Sequence, residues 1–123
     1  MSNIVNDAVE DYIRGTLAEN TGQIKDMEKY AKENSVPIIH KEVSELLRVI
    51  LNIHKPKRIL EVGCAIGYSS IFFSSVLKND VEIITTERNP VMLKEAEKNI
   101  EKAGLSDKKK ILVGDSQETR KDV

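Results

Sequence analysis

The chain changes character at Pro56, and that change limits the folds open to it. Before Pro56, apolar residues recur three and four apart, the period of helices that pack on one face. After it, short runs rich in β-branched residues alternate with single helical stretches, which demands right-handed crossovers and a parallel sheet.

Three helices are expected over residues 1–55. From Asn3 to Ala18, the residues Ile4, Val5, Ala8, Val9, Tyr12, Ile13 and Leu17 fall on one inward face. After the turn signal Asn20-Thr21-Gly22, a second helix carries Ile24, Met27, Tyr30 and Ala31 and ends in Lys32-Glu33-Asn34-Ser35. Pro37 then imposes an extended connection. A third helix follows His40, with Val43, Leu46, Leu47, Ile50 and Leu51 inward and Lys41, Glu42, Glu45 and Arg48 outward, and stops by Pro56.

Beyond Pro56, Arg58-Ile59-Leu60-Glu61-Val62 ends at Gly63 and has the composition of a buried strand. Ile66 to Leu77 is helical, Val81 to Thr86 is a second strand, and Lys110 to Val113 a third. Asn89 as N-cap, Pro90 at the first helical position and Gly104 past the end bracket a further helix whose inner face is Leu93, Ala96, Ile100 and Ala103. The expected fold class is α/β: the N-terminal half of a doubly wound parallel sheet, three strands in the order 3-2-1, covered on both faces and preceded by about three helices. Two units follow, a helical extension at 1–55 and a partial ligand-binding domain at 56–123.

Composition excludes several functions. Hydrophobic residues make up 40% of the 123, and 19 basic against 20 acidic side chains leave a formal charge of −1, which fits neither a disordered acidic tail nor a basic nucleic-acid arm. Lys108-Lys109-Lys110 is read as a solvated approach to a strand, so nucleic acid enters only as a substrate. The single cysteine, Cys64, excludes a disulfide framework and a cysteine-rich zinc site. Asp7, Glu10 and Asp11 interrupt the first twenty residues, which therefore do not form a secretory signal. With no apolar stretch long enough to span a bilayer, a cytoplasmic protein without a membrane partner is expected.

In parallel sheets, ligands bind beyond the carboxyl ends of the strands. Three groups should converge there. Glycines at 63 and 67 allow a tight strand-to-helix turn and close approach of a ligand, and the following helix N-terminus suits a carboxylate or phosphate. Their Gly-x-x-x-Gly spacing departs from the Gly-x-Gly-x-x-Gly of dinucleotide sites, which disfavours a nicotinamide-linked oxidoreductase. Glu87, at the end of the second strand, can accept hydrogen bonds from both hydroxyls of a ribose and would repel a 2′-phosphate. After the third strand, Gly114-Asp115-Ser116-Gln117 sets a carboxylate, a hydroxyl and an amide where an adenine would lie. Asp115 serves equally as a turn residue or helix cap, and Ser69 as a cap.

The combination of Leu60-Glu61-Val62-Gly63-Cys64-Ala65-Ile66-Gly67-Tyr68-Ser69, Thr86-Glu87-Arg88-Asn89 and Gly114-Asp115-Ser116-Gln117, preceded by Pro37-Ile38-Ile39-His40, resembles the S-adenosylmethionine-dependent O-methyltransferases of the catechol and caffeoyl-coenzyme A type. The resemblance covers nearly the whole chain and implies a Rossmann-like cofactor domain. It implies that Glu61, Gly63 and Ser69 surround the methionine moiety, with Gly67 in the turn and Tyr68 beside the cofactor. It also implies that Glu87 holds the ribose, that Asp115 and Ser116 contact adenine, and that Ile39 lies near the cofactor. In the family, a divalent metal, usually magnesium, binds the substrate's adjacent hydroxyls and lowers the pKa of the attacking oxygen. Its ligands belong beyond residue 123, so the chain is expected to be the cofactor half of a longer enzyme, truncated after the third strand and inactive alone.

The remaining candidates have plainer readings. Cys64 is a small turn filler, and His40 and His54 are helix-terminal residues with no metal-binding spacing around them. The expected activity is methyl transfer to a hydroxyl of a small aromatic or a modified nucleoside. A non-catalytic nucleoside-binding or self-associating module is the alternative. With the order 3-2-1, the strand at 58–62 would be an exposed apolar edge, so a homo-oligomer through that edge is expected.

Overall fold

The structure, a computed structural model, describes residues 4–123. Three helices, α1 (Asp7–Thr16), α2 (Gly22–Glu33) and α3 (Lys41–His54), precede β1 (Arg58–Val62). The chain then alternates through α4 (Tyr68–Val76), β2 (Glu82–Glu87), α5 (Pro90–Lys102), β3 (Lys109–Val113) and the short α6 (Ser116–Thr119). The expectation for the first helix begins at Asn3, which lies outside the described residues.

The strands form one parallel sheet in the order β1-β2-β3, with β2 central. Glu61 lies opposite Thr85, Val62 opposite Thr86 and Glu87 opposite Val113. The expected strand order is thus present, and so are the helix signals: the Asn89 side chain accepts from the Val91 and Met92 N–H groups at 2.9 and 3.3 Å. Ala96 and Ile100 of α5 are buried with Ile66 and Ile71, and Ile111 of β3 packs against that cluster.

Coverage of the two sheet faces is unequal rather than complete on both. Both crossovers step across the sheet in the same direction and with the same hand, which puts α4 and α5 over one face, the face of Glu61, Thr85 and Ile111. On the other face, Thr86 and Leu112 are buried, while Leu60 and Val62 of β1 are 56% and 68% exposed.

The inward faces expected of α1 and α3 need the same correction. No residue of α1 is buried, and Tyr12 is 74% exposed. What docks α1 is polar: Arg14 donates Nε and Nη2 to the two carboxylate oxygens of Glu42 at 2.9 and 2.8 Å. Helix α3 carries two apolar stripes. The one that packs runs through Ser44, Leu47 and Leu51, and Arg48 beside it lies 5.0 Å over the Phe72 ring of α4. Val43, Leu46, Ile50 and Ile53 form the other and stay exposed, Leu46 to 59% and Ile53 to 79%.

Candidate functional site at the strand ends

The ladder of β1, β2 and β3 continues past their carboxyl ends. Gly63 N–H donates to Thr86 Oγ1 at 3.1 Å, Cys64 N–H to the Thr86 carbonyl at 2.9 Å and Gly114 N–H to the Glu87 carbonyl at 2.9 Å. These bonds draw the three post-strand segments together around a cavity of about 260 Å³, lined by Val62, Gly63, Thr86, Glu87, Arg88, Gly114, Asp115 and Ser116. The expected convergence is present for Gly63, Glu87, Asp115 and Ser116.

The turn after β1 depends on its glycines. Gly67 caps α4 in the left-handed region at φ 85°, and Gly63 adopts φ 79°. A side chain at either would be strained, and a Cβ at Gly63 would meet nothing within 4 Å, so the space above it is open to a ligand.

Glu87 is held firmly. Its Oε2 accepts from Ala65 N–H at 2.8 Å, and its Oε1 accepts from the Arg88 and Asn89 N–H groups at 2.9 Å each. A carboxylate offers about four lone-pair sites, so these three bonds leave about one for a ligand hydroxyl rather than the expected two. Asp115 works as the cap that its sequence context also allowed: Oδ1 accepts from Gln117 N–H at 2.8 Å, while Oδ2 lies 3.5 Å from Arg88 Nη1.

Glu61 lies two residues before Gly63, below the cavity. Its Oε1 accepts from Ser70 Oγ and Thr85 Oγ1, both at 2.8 Å. Burial pushes its carboxyl above the ordinary range, and the Thr85 and Ser70 hydroxyls and the Lys109 charge oppose that shift. Sequence reasoning missed Ser70, Thr85, Thr86 and Lys109. The strand register names Thr85 and Thr86 once the pairing is known, and Ser69, singled out instead of Ser70, is half-buried.

Other residues lie apart from the strand ends. Tyr68 is buried, stacks on Phe72 at 6.5 Å and donates its hydroxyl to Glu28 of α2 at 3.1 Å. Together with Ile39 and His40 it lines a separate cavity of about 610 Å³ between α2 and the segment preceding α3. The strand-end cavity is the smaller of the two, but it is the one at the topological position where parallel sheets bind ligands. Cys64 is buried and unpaired, and desolvation, with the charges of Glu61 and Glu87, pushes its thiol up to about 12. That is an unreactive thiol at neutral pH. His40 caps α3 and His54 ends it. Among the described residues, no three His, Cys, Asp or Glu side chains come together to hold a metal ion.

A parallel sheet whose strand ends bring a carboxylate, a glycine turn and a second acid around one cavity defines an α/β protein of the Rossmann-like class, with the cavity at the position where such sheets bind ligands. The particular family follows from comparison. The model of the family "Protein-L-isoaspartate(D-aspartate) O-methyltransferase (PCMT)" matches residues 9–121, and the chain belongs to that family and, with it, to the class I S-adenosylmethionine-dependent O-methyltransferases. A catechol O-methyltransferase of Niastella koreensis is 28% identical over 116 residues, which make up 93% of this chain and 52% of that protein. A protein-L-isoaspartate O-methyltransferase of Methanopyrus kandleri is 38% identical over 58 residues, 47% of this chain and 26% of its own length. Among solved structures, a Staphylococcus aureus protein assigned as a caffeoyl-CoA O-methyltransferase superposes with a TM-score of 0.86 at 29% identity, over 95% of this chain and 56% of its own. An O-methyltransferase of Bacillus cereus, in complex with SAH, shares the fold with a TM-score of 0.78 at 22% identity, over 94% of this chain and 53% of its own. The chain thus spans about half the length of the relatives that match nearly all of it.

Proposed function

We propose that this chain is the S-adenosylmethionine-binding portion of an O-methyltransferase that methylates a hydroxyl of a small aromatic or a modified nucleoside. The observation that carries the reading is Glu87, fixed at the end of β2 by three backbone N–H groups and facing the cavity shared by Gly63, Asp115 and Ser116. In this reading Glu87 accepts from a ribose hydroxyl and Gly63 lets the cofactor approach the backbone. Asp115 and Ser116 border the adenine, and Glu61, with Ser69, lies toward the methionine end. Gly67 keeps the turn tight. Ile39 and Tyr68, expected beside the cofactor, line the separate cavity, so their part in holding it requires the cofactor to reach from the strand ends toward that cavity. The cofactor supplies a methyl group on a sulfonium. These residues hold and orient it, and the open space above Gly63 leaves room for it. Magnesium, expected of the complete family enzyme, has no group of ligands among the described residues.

A hydroxyl acceptor is favoured because the catechol O-methyltransferase of Niastella koreensis aligns with 93% of the chain, helical extension included, whereas the Methanopyrus kandleri isoaspartate enzyme aligns with 47%. The second reading, a carboxyl acceptor, rests on the family model that matches residues 9–121. Self-association through β1 is part of the proposal, supported by the exposed Leu60 and Val62 beside an edge that, among the described residues, pairs with β2 alone. The unpaired thiol of Cys64 suits a reducing, cytoplasmic setting.

Calorimetry with S-adenosylmethionine, S-adenosylhomocysteine and NAD tests the cofactor. Binding of the first two and not of NAD is expected, and NAD binding alone would refute the reading. A catechol and an isoaspartyl peptide, offered with labelled cofactor and magnesium, separate the two acceptor classes.

A further inference from the structure

One residue of the glycine turn stands in a conformation that its side chain disfavours. Ala65 adopts φ 46°, in the left-handed region that glycine occupies freely and alanine rarely enters. A strained residue of this kind persists where its surroundings fix it from more than one side. On one side, Ala65 N–H donates to Glu87 Oε2 at 2.8 Å. On the other, Gly67 N–H donates to the Cys64 carbonyl at 2.7 Å, which closes a four-residue turn with Ala65 and Ile66 at its centre. The third hold comes from outside the turn. Asn99 of α5 donates Nδ2 to the Ile66 carbonyl at 2.9 Å.

That bond has no substitute. Ile66 is fully buried, and among the described residues no other hydrogen bond reaches its carbonyl. A buried acceptor without a donor is costly, so the turn keeps its position only while the Asn99 amide faces it. Asn99 is itself buried, three residues after Ala96, on the face of α5 against which the turn rests: a Cβ at Gly67 would lie 3.6 Å from Ala96. Gln23 of α2 donates Nε2 to the Asn99 main-chain carbonyl at 2.8 Å and so ties the helical extension to the same point.

The position of the turn decides how Glu87 is aimed. Oε1 of that carboxylate already accepts from the Arg88 and Asn89 N–H groups, whereas Oε2 accepts from Ala65 alone. The lone pair left for a ligand therefore belongs to Oε2, the oxygen that Ala65 orients. We infer that Asn99 is a positioning residue for the cofactor: by holding the Ile66 carbonyl it keeps Ala65 in its left-handed conformation, and the Ala65 N–H then sets Glu87 Oε2 toward the ribose. This rests on the cofactor reading above. Asn99 does not line the strand-end cavity and acts only through the turn.

Titration of the full chain with S-adenosylhomocysteine tests this. Asn99→Asp keeps the size of the side chain but at pH 7.5 presents a carboxylate, which cannot donate to the Ile66 carbonyl. Affinity should fall about tenfold, the worth of one buried hydrogen bond. At pH 5.5 burial keeps the introduced carboxyl protonated, its O–H donates again, and affinity should return to within about threefold of the wild type at the same pH. Ala65→Gly removes the strain, so in that background Asn99→Asp should cost less than about threefold at pH 7.5. A structural role alone would lower the urea midpoint of Asn99→Asp and leave the affinity of the folded chain unchanged. Wild-type affinity in Asn99→Asp at pH 7.5, a loss that persists at pH 5.5, or an equal loss with and without Ala65→Gly overturns the proposal while the cofactor reading stands. Should Asn99→Asp fail to fold, Asn99→Ala takes its place, and the comparison with and without Ala65→Gly decides. If the wild-type chain binds no S-adenosylhomocysteine, the cofactor reading falls and this inference falls with it.

Discussion

The two halves of the molecule treat apolar residues in opposite ways. From β1 onward the large side chains under the helices are enclosed: Ile66, Ile71, Phe72, Ile83 and Ile100 are all buried. In the helical extension, only Met27, Ala31 and Leu51 of the apolar helix residues are buried, and α1 buries none. Periodicity does not account for this, since α1 is more clearly one-sided than α4. The difference is that β-α-β crossovers bring their own covering partner, because each helix must fold back on the sheet that flanks it, whereas a helix followed by a helix has no such obligation. A one-faced pattern therefore shows that a helix has a side to cover, not that the same chain covers it.

Stability should separate the halves most. Phe72→Ala in α4 removes a fully enclosed ring and should cost about 3–5 kcal/mol in urea denaturation. Leu46→Ala and Ile53→Ala, on the outward stripe of α3, should each stay within about 0.5 kcal/mol. If either costs several times that, the stripe is covered in solution, and a concentration-dependent midpoint would identify a second copy as the cover. Light scattering tests a different surface, the β1 edge: a mass above that of one chain is expected from the exposed Leu60 and Val62 beside it, and the mass of one chain would contradict that.

The next effect concerns the site. Glu87→Ala should weaken S-adenosylhomocysteine binding by about 1–3 kcal/mol, the cost of leaving a buried hydroxyl without its acceptor. It should also loosen the Ala65 turn, which loses its bond to Oε2. An unchanged dissociation constant would remove Glu87 from the ribose.

The smallest effect belongs to α1. Its bond to Arg14 holds Glu42 far below the usual carboxylate range, at about 2 against an ordinary 4.5. A depressed folded-state value means that this contribution is complete above pH 4.5 and is lost as pH falls toward 2. Amide protection in α1 should fall over that window while protection in β2 does not, and Glu42→Gln should give the low-pH behaviour at pH 7. Equal loss in both would mean that α1 and the sheet unfold as one unit.

Much of the sheet half was legible in the residues. Asn89, Pro90 and Gly104 mark the ends of α5 by backbone chemistry alone, and the strand order follows from two crossovers of one hand. The convergence of Gly63, Glu87, Asp115 and Ser116 follows from topology, without any tertiary contact. What was not legible depends on register and on competition between partners. Glu61 turns to Ser70 and Thr85 because those hydroxyls face it across α4 and β2. The Tyr68 hydroxyl goes to Glu28, forty positions away in the chain. In α3, two apolar stripes compete for one neighbour, and the pattern alone cannot say that the stripe of Ser44 and Leu51 wins. The placement of α4 and α5 over one face was available from the equal hands of the crossovers, but composition pointed to helices on both.

The central claim is that the cofactor's adenosine end lies at the carboxyl ends of β1, β2 and β3. Amide chemical-shift mapping with S-adenosylhomocysteine on the labelled chain tests it most directly. The account predicts saturable shifts at Gly63, Ala65, Arg88, Asn89 and Gly114 to Gln117, all absent with NAD. Shifts confined to the cavity around Ile39 and Tyr68, or none at the strand ends at saturating ligand, would contradict it.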